Sequence, residues 1–140
     1  MSRRKGRELA LQMLYQMDIT RGEALKSDSF PEIAIELSEE AKKFTQDLIQ
    51  GITEKQGVLD EIIRKYSLHW SLERMFIIDR NILRMAIFEL KYMEDIPPKV
   101  TINEAIEIAK RYGTKDSSGF INGILDQVMN DLKNQQQVQT

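Results

Sequence analysis

Met75-Phe-Ile-Ile-Asp-Arg-Asn-Ile-Leu-Arg-Met-Ala-Ile-Phe-Glu-Leu90 is the stretch that decides the fold. Met75, Phe76, Ile77, Ile78, Ile82, Leu83, Met85, Ala86, Ile87, Phe88 and Leu90 leave little polar surface on any side of a helix. A helix apolar nearly all round needs neighbours all round, so this one is predicted to be central. No segment of the chain sustains the two-residue alternation of a half-buried strand, and no repeat is present. The fold class is therefore all-α.

Downstream, Pro97 and Pro98 stop the central helix, and Thr101 with Glu104 has the spacing of a capping box for the next. Two amphipathic helices are predicted over 101–112 and 117–133, with Gly113 as a left-handed C-terminal cap between them. Within the second, Asn122 and Gly123 are poor helix formers placed one turn in. They suggest a close backbone approach or a surface kept for a ligand.

Upstream, Leu9, Ala10, Met13, Leu14 and Met17 form a stripe at helical spacing over 4–18. Thr20 to Ser29 reads as loop, and Phe30–Leu37 as a short helix opened by Pro31. Ser38-Glu-Glu opens a helix whose buried stripe is Ala41, Phe44, Leu48 and Ile52. Gly57 is expected to end it, and Val58, Leu59, Ile62, Ile63 and Tyr66 mark the next. Ser71 reads as a fresh N-cap. The loop around 67–72 divides the chain into two helical halves.

The 140 residues are enough for one domain with its own core. The absence of cysteine excludes disulfides and thiolate zinc sites and fits a reducing cytoplasm. No apolar run reaches the roughly 18 residues of a spanning helix. A net charge of −2 means that any nucleic-acid contact must rest on local positive charge.

That charge is concentrated in Arg3, Arg4, Lys5 and Arg7, with Glu8 the one acid beside them. Such a cluster can hold phosphates, or it can be a solvated terminus. If the helix reaches back to Arg4, Tyr15 returns to within about 20° of it, an aromatic on a basic face. Asp116 or Ser117 reads as an N-cap, whose free amides could also meet a phosphate. Phe120 is either core beside Ile124 or an exposed stacking ring, because Ile121, Ile124, Leu125, Val128 and Leu132 already complete the inward stripe. Asn122 could read a base edge or bond a neighbouring helix. The carboxylate pairs Asp60/Glu61 and Glu104/Glu107 read as solvated helix faces, and His69 beside Trp70 as a packing or loop residue. No glycine-rich phosphate loop and no nucleophile–base motif points to an enzyme.

The chain resembles the NusB family of bacterial transcription antitermination factors. The likeness is carried by Ile96-Pro, Lys99-Val, Ile102-Asn-Glu-Ala105, Ala109-Lys, Tyr112-Gly, Asp116-Ser and Phe120-Ile-Asn-Gly-Ile-Leu-Asp126. It continues in Asp79-Arg-Asn-Ile-Leu-Arg-Met-Ala-Ile-Phe-Glu-Leu90, in Arg3-Arg-Lys-Gly-Arg-Glu-Leu-Ala10 and in Leu14-Tyr15. It is weakest between residues 18 and 72, where only hydrophobic spacing is shared.

The resemblance implies an all-α domain of about seven helices in two packed helical subdomains, over about 1–68 and 69–133, with 134–140 a frayed tail. It implies a non-enzymatic, cytoplasmic factor without cofactor or metal. Such a factor binds boxA-type single-stranded RNA together with the ribosomal protein NusE and acts on the RNA polymerase antitermination complex. It leaves room for a homodimer. The residues matching the family's RNA contacts are Arg3, Arg4, Lys5, Arg7, Tyr15, Asp116, Ser117, Phe120 and Asn122; Asp79 matches a partner-binding acid. Lys5 stands in an otherwise arginine run, which keeps the charge and loses a bidentate fork. Two rival readings are the NusB-like domain of a ribosomal RNA methyltransferase lacking its catalytic part, and a protein-interaction module whose basic terminus is inert.

Overall fold

The structure is a computed structural model that describes residues 2–20, 37–68 and 70–139. The short helix expected over 30–37 falls almost wholly outside these residues, as does His69. The described chain holds five α-helices: α1 Ser2–Thr20, α2 Glu39–Tyr66, α3 Ile77–Tyr92, α4 Pro98–Tyr112 and α5 Ser117–Gln139. A single 3-10 turn, Leu72–Arg74, precedes α3. No described residue lies in a strand, as the all-α class requires. Among the described residues there are five α-helices where about seven are expected for the whole chain, and the differences within these residues are readable at particular positions.

Gly57 does not end a helix. α2 passes straight through it, and a Cβ there would meet nothing within 4 Å. One exposed glycine costs about 1 kcal/mol in a helix interior. Burial of Ile52, Leu59 and Ile63 on either side outweighs that. Ser71 opens the 3-10 turn rather than a full helix, and Met75 and Phe76 stay extended before α3 begins. α5 runs on to Gln139, past the predicted end at 133, because glutamine is a good helix former.

The chain divides into two compact units, Met1–Glu54 and Lys55–Thr140, with the division inside α2. In the first unit, α2 starts at Ser38, whose Oγ accepts the Ala41 amide at 3.1 Å. Gly6 of α1 lies against α2, where a Cβ would sit 3.0 Å from Thr45 Oγ1 and 3.3 Å from the Ala41 carbonyl oxygen. Thr45 Oγ1 is 3.1 Å from the Gly6 carbonyl oxygen, a hydrogen bond that the absent side chain permits.

In the second unit α3 is central, with Asn81 through Glu89 all buried, and α3, α4 and α5 pack on one another. Several of its buried polar groups are matched. Arg84 bonds the Asp60 carboxylate of α2 at 2.7 and 3.1 Å and Asn81 Oδ1 at 3.1 Å. Asp60 is thus an interior ion-pair partner, not the solvated acid its sequence suggests. Thr101 caps nothing. Proline can occupy a helix's first turn because its missing N–H is not needed there, so α4 begins at Pro98. Thr101 therefore lies one turn in, buried, donating to Glu89 Oε1 at 3.1 Å. Gly113 is extended, at φ −92° and ψ −169°, rather than left-handed. Glycine is needed there for space: a Cβ would collide with the Ser117 side chain and, at 2.8 Å, with the Ala109 carbonyl oxygen.

Candidate nucleic-acid interface

α1 reaches back to Ser2, so Arg3, Arg4, Lys5 and Arg7 are all helical and Tyr15 shares the face of Arg4. Arg3 and Lys5 are exposed, Arg4 is half-buried, and the Tyr15 ring is 37% open to solvent. Arg7 is different. It is only 3% exposed, and its guanidinium lies 5.2 Å from the Phe44 ring centroid. Arg3 lies over the same ring at 5.0 Å. Phe44 thus packs with one arginine and braces a second that still faces solvent.

In the second unit the start of α5 is tightly organised. The Thr114 amide donates to Ser117 Oγ at 2.9 Å, and the Asp116 amide to Thr114 Oγ1 at 3.3 Å. Ser117 is 1% exposed, so its hydroxyl serves the turn and does not face solvent. Asp116 is exposed, while Phe120 and Asn122 are partly so. Gly119 and Gly123 leave open space beside Phe120: a Cβ on either would meet nothing within 4 Å. Of the two readings of Asn122-Gly123, close approach within the chain is therefore removed for Gly123.

Phe120 lines an open cleft of about 480 Å³ with Trp70, Arg74, Met75, Phe76, Asp79 and Asp116. Trp70 is 59% and Phe76 46% exposed, an unusual pair of large rings left to solvent. Asp79 is 8% exposed and its buried Oδ1 has no hydrogen-bond partner among the described residues. Burial pushes its carboxyl above the usual range, while the Ser117 hydroxyl opposes that rise. An interior acceptor beside exposed rings is suited to a cationic or amide donor brought by another molecule. The sequence pattern places Phe76 in the apolar stretch of the central helix and assigns Trp70 no role. Phe76 lies in the extended backbone before α3, outside the helix whose periodicity would bury it.

Among the described residues no cluster of three or more His, Cys, Asp or Glu could hold a metal ion. No described helix is long and apolar enough to cross a membrane. The first unit thus carries arginines and a tyrosine on one helical face, the second a half-open phenylalanine beside a helix start, and the class is that of small all-helical proteins.

The chain belongs to the NusB family, whose pattern it matches over residues 4–130. The transcription antitermination protein NusB of Bacillus cereus (strain ATCC 10987 / NRS 248) is 48% identical over 136 residues, which cover 94% of this chain and 100% of that protein. The Bacillus thuringiensis (strain Al Hakam) protein of the same name is 50% identical over the same coverage. Among solved structures, T. maritima NusB is similar at a TM-score of 0.81 and 39% identity, covering 91% of this chain and 90% of that one. NusB in the crystal structure of antitermination factors NusB and NusE with dsRNA is similar at 0.80 and 26% identity, covering 93% and 97%. The relatives carry the name of a transcription factor, not of an enzyme.

Proposed function

We propose that this NusB-family chain binds boxA-type RNA jointly with NusE, and that the assembly acts on RNA polymerase in the cytoplasm to carry transcription past terminators. The observation that carries this is the structural match to a NusB that was solved together with NusE and RNA. The residues here support it chemically. Arg3, Arg4 and Lys5 supply phosphate contacts, and Tyr15 and Phe120 supply rings for unpaired bases. Arg7 and Ser117 act by holding those surfaces in place, since both are buried. Asp116 and Asn122 flank Phe120 and are exposed enough to meet a base edge or sugar. Asp79, in the cleft beside Trp70 and Phe76, is the acceptor offered to NusE.

A net charge of −2 makes the chain a weak RNA binder alone, so a partner must add positive charge. Gel-shift with boxA RNA, in the presence and absence of NusE, tests this. The RNA in the solved relative is double-stranded, so single-stranded and duplex probes are compared. The expected result is tighter binding of single-stranded boxA with NusE than with either protein alone. By linkage, RNA then tightens the protein pair by the same factor. Equal affinity with and without NusE would remove the joint-binding reading.

A further inference from the structure

The Lys55–Thr140 unit carries a second group of cations set around an aromatic ring, at the other end of α3 from the Phe120 cleft. Phe76 and Asp79 stand at the start of α3 and Tyr92 ends it, about 20 Å along the axis. The Tyr92 ring is 38% exposed and is held from behind by Phe88, whose centroid is 5.2 Å away. Two ammonium groups flank it: Lys55 Nζ at 5.6 Å from the ring centroid and Lys91 Nζ at 5.7 Å. Neither lysine forms an ion pair among the described residues.

From Lys91 the surface continues into a small cleft of about 100 Å³ whose rim also carries Lys65 and Tyr66. Lys65 Nζ is 5.3 Å from the Tyr66 ring, and its nearest acid, Asp131, is 4.0 Å away. Asp131 is itself the hydrogen-bond acceptor of the Tyr66 hydroxyl. The order along the surface is therefore Lys55, Tyr92, Lys91, Lys65. Two like charges gathered on one ring with no acid to match them are stabilised when an external anion arrives.

We propose that Lys55, Tyr92, Lys91 and Lys65 form a second RNA-contact surface, on which the lysines meet phosphates of a single strand and Tyr92 stacks on one of its bases. The proposal rests on the RNA-binding reading above and extends it to residues outside the N-terminal helix and the start of α5. An acidic peptide would also satisfy the lysines. The braced, half-open ring between two cations favours a nucleic acid, because stacking uses a π face and the flanking charges use the backbone beside it. Lysines recognise phosphate as point charges without a fixed fork, so the surface follows a strand without reading its sequence.

The test uses the full chain and a boxA RNA with uridine-rich flanks, titrated at several salt concentrations. Lys55→Gln with Lys91→Gln should reduce the steepness of the log–log salt dependence by about 1.4, two single-strand phosphate contacts. Tyr92→Leu should weaken binding at least about fivefold, and Tyr92→Phe should change nothing, since the ring is retained. Thermal melting of each variant shows that the fold is kept. Unchanged slope and affinity in the lysine and leucine variants overturn the inference. If Arg3→Ala, Arg4→Ala and Lys5→Ala together still abolish binding in that case, only the second surface falls. If no version of the chain binds RNA, both readings fall. Polyglutamate serves as the competing probe: its loss from the lysine variant with RNA binding intact would assign the surface to an acidic peptide and overturn the proposal.

Discussion

Arg84 of α3 grips Asp60 of α2 with two hydrogen bonds, Nε to Oδ1 at 2.7 Å and Nη2 to Oδ2 at 3.1 Å. Their side chains are 8% and 12% exposed, so the pair is interior. A buried pair is costly to break from one side, because the remaining charge is left without compensation. Arg84→Met alone, or Asp60→Leu alone, is expected to lower stability by about 3–5 kcal/mol. The double replacement should recover most of that loss. Denaturant midpoints of the three variants check it, and a double variant as unstable as either single one would contradict the argument.

Two glycines should respond in opposite directions to alanine. Gly113→Ala forces a methyl into the Ser117 side chain and the Ala109 carbonyl, and overpacking of this kind costs about 1–3 kcal/mol. Gly57→Ala adds a methyl at an exposed position in the middle of α2, with nothing within 4 Å, and should stabilise by up to about 1 kcal/mol. Thermal denaturation of both variants is the measurement.

The basic residues of α1 separate by burial. Arg3→Ala, Arg4→Ala and Lys5→Ala together should flatten the salt dependence of RNA binding by roughly 2 in slope, three contacts at about 0.7 each, with little change in stability. Arg7→Ala should instead lower stability, since it removes a packed guanidinium from the Phe44 ring. An unchanged slope in the triple variant would refute the phosphate assignment.

Phe120→Ala should weaken RNA binding by about 1–3 kcal/mol if the ring is a stacking platform. As a ring lining an open cleft it should affect stability less than a fully buried phenylalanine, whose loss costs about 3–5 kcal/mol. Both quantities measured on one preparation decide the matter. Intact RNA affinity with a large loss of stability would place Phe120 in the core.

Asp79 makes stability depend on pH with a definite sign. Its carboxyl is raised by burial, so the folded chain holds this proton more tightly than the unfolded chain. Below the ordinary value of 3.8 the group is protonated in both states and costs nothing. As pH rises through that value and on through the raised folded one, the folded state loses stability relative to the unfolded. Asp79→Asn should remove this loss, so that wild type and variant diverge above the ordinary carboxylate range. The same substitution should weaken NusE binding. Urea titrations across the acidic range, with calorimetry of the NusE complex, report both effects.

The all-α class, the central place of residues 75–90 and the start of α2 at Ser38 were legible in the chain. Each follows from local chemistry: the period of apolar residues, or a side chain able to accept an amide three residues on. The basic cluster on α1 was legible for the same reason, since charge density is a property of composition. Sequence motifs misled where a residue's neighbours lie far along the chain. Thr101 and Glu104 have capping-box spacing, yet Thr101 is taken by Glu89 and Pro97–Pro98 begin the helix. Gly57 looks like a break, yet burial on either side carries α2 through it. Asp60 and Arg7 look solvated, yet each is buried against a tertiary neighbour, Arg84 and Phe44 respectively. Phe76 looks buried, yet it lies in the extended backbone before α3 and its ring stays in solvent. Pattern determines which elements form, because helix-forming forces act within a few residues. Tertiary packing decides which side chains of those elements remain available to a ligand, because burial depends on contacts whose sequence separation no local pattern records.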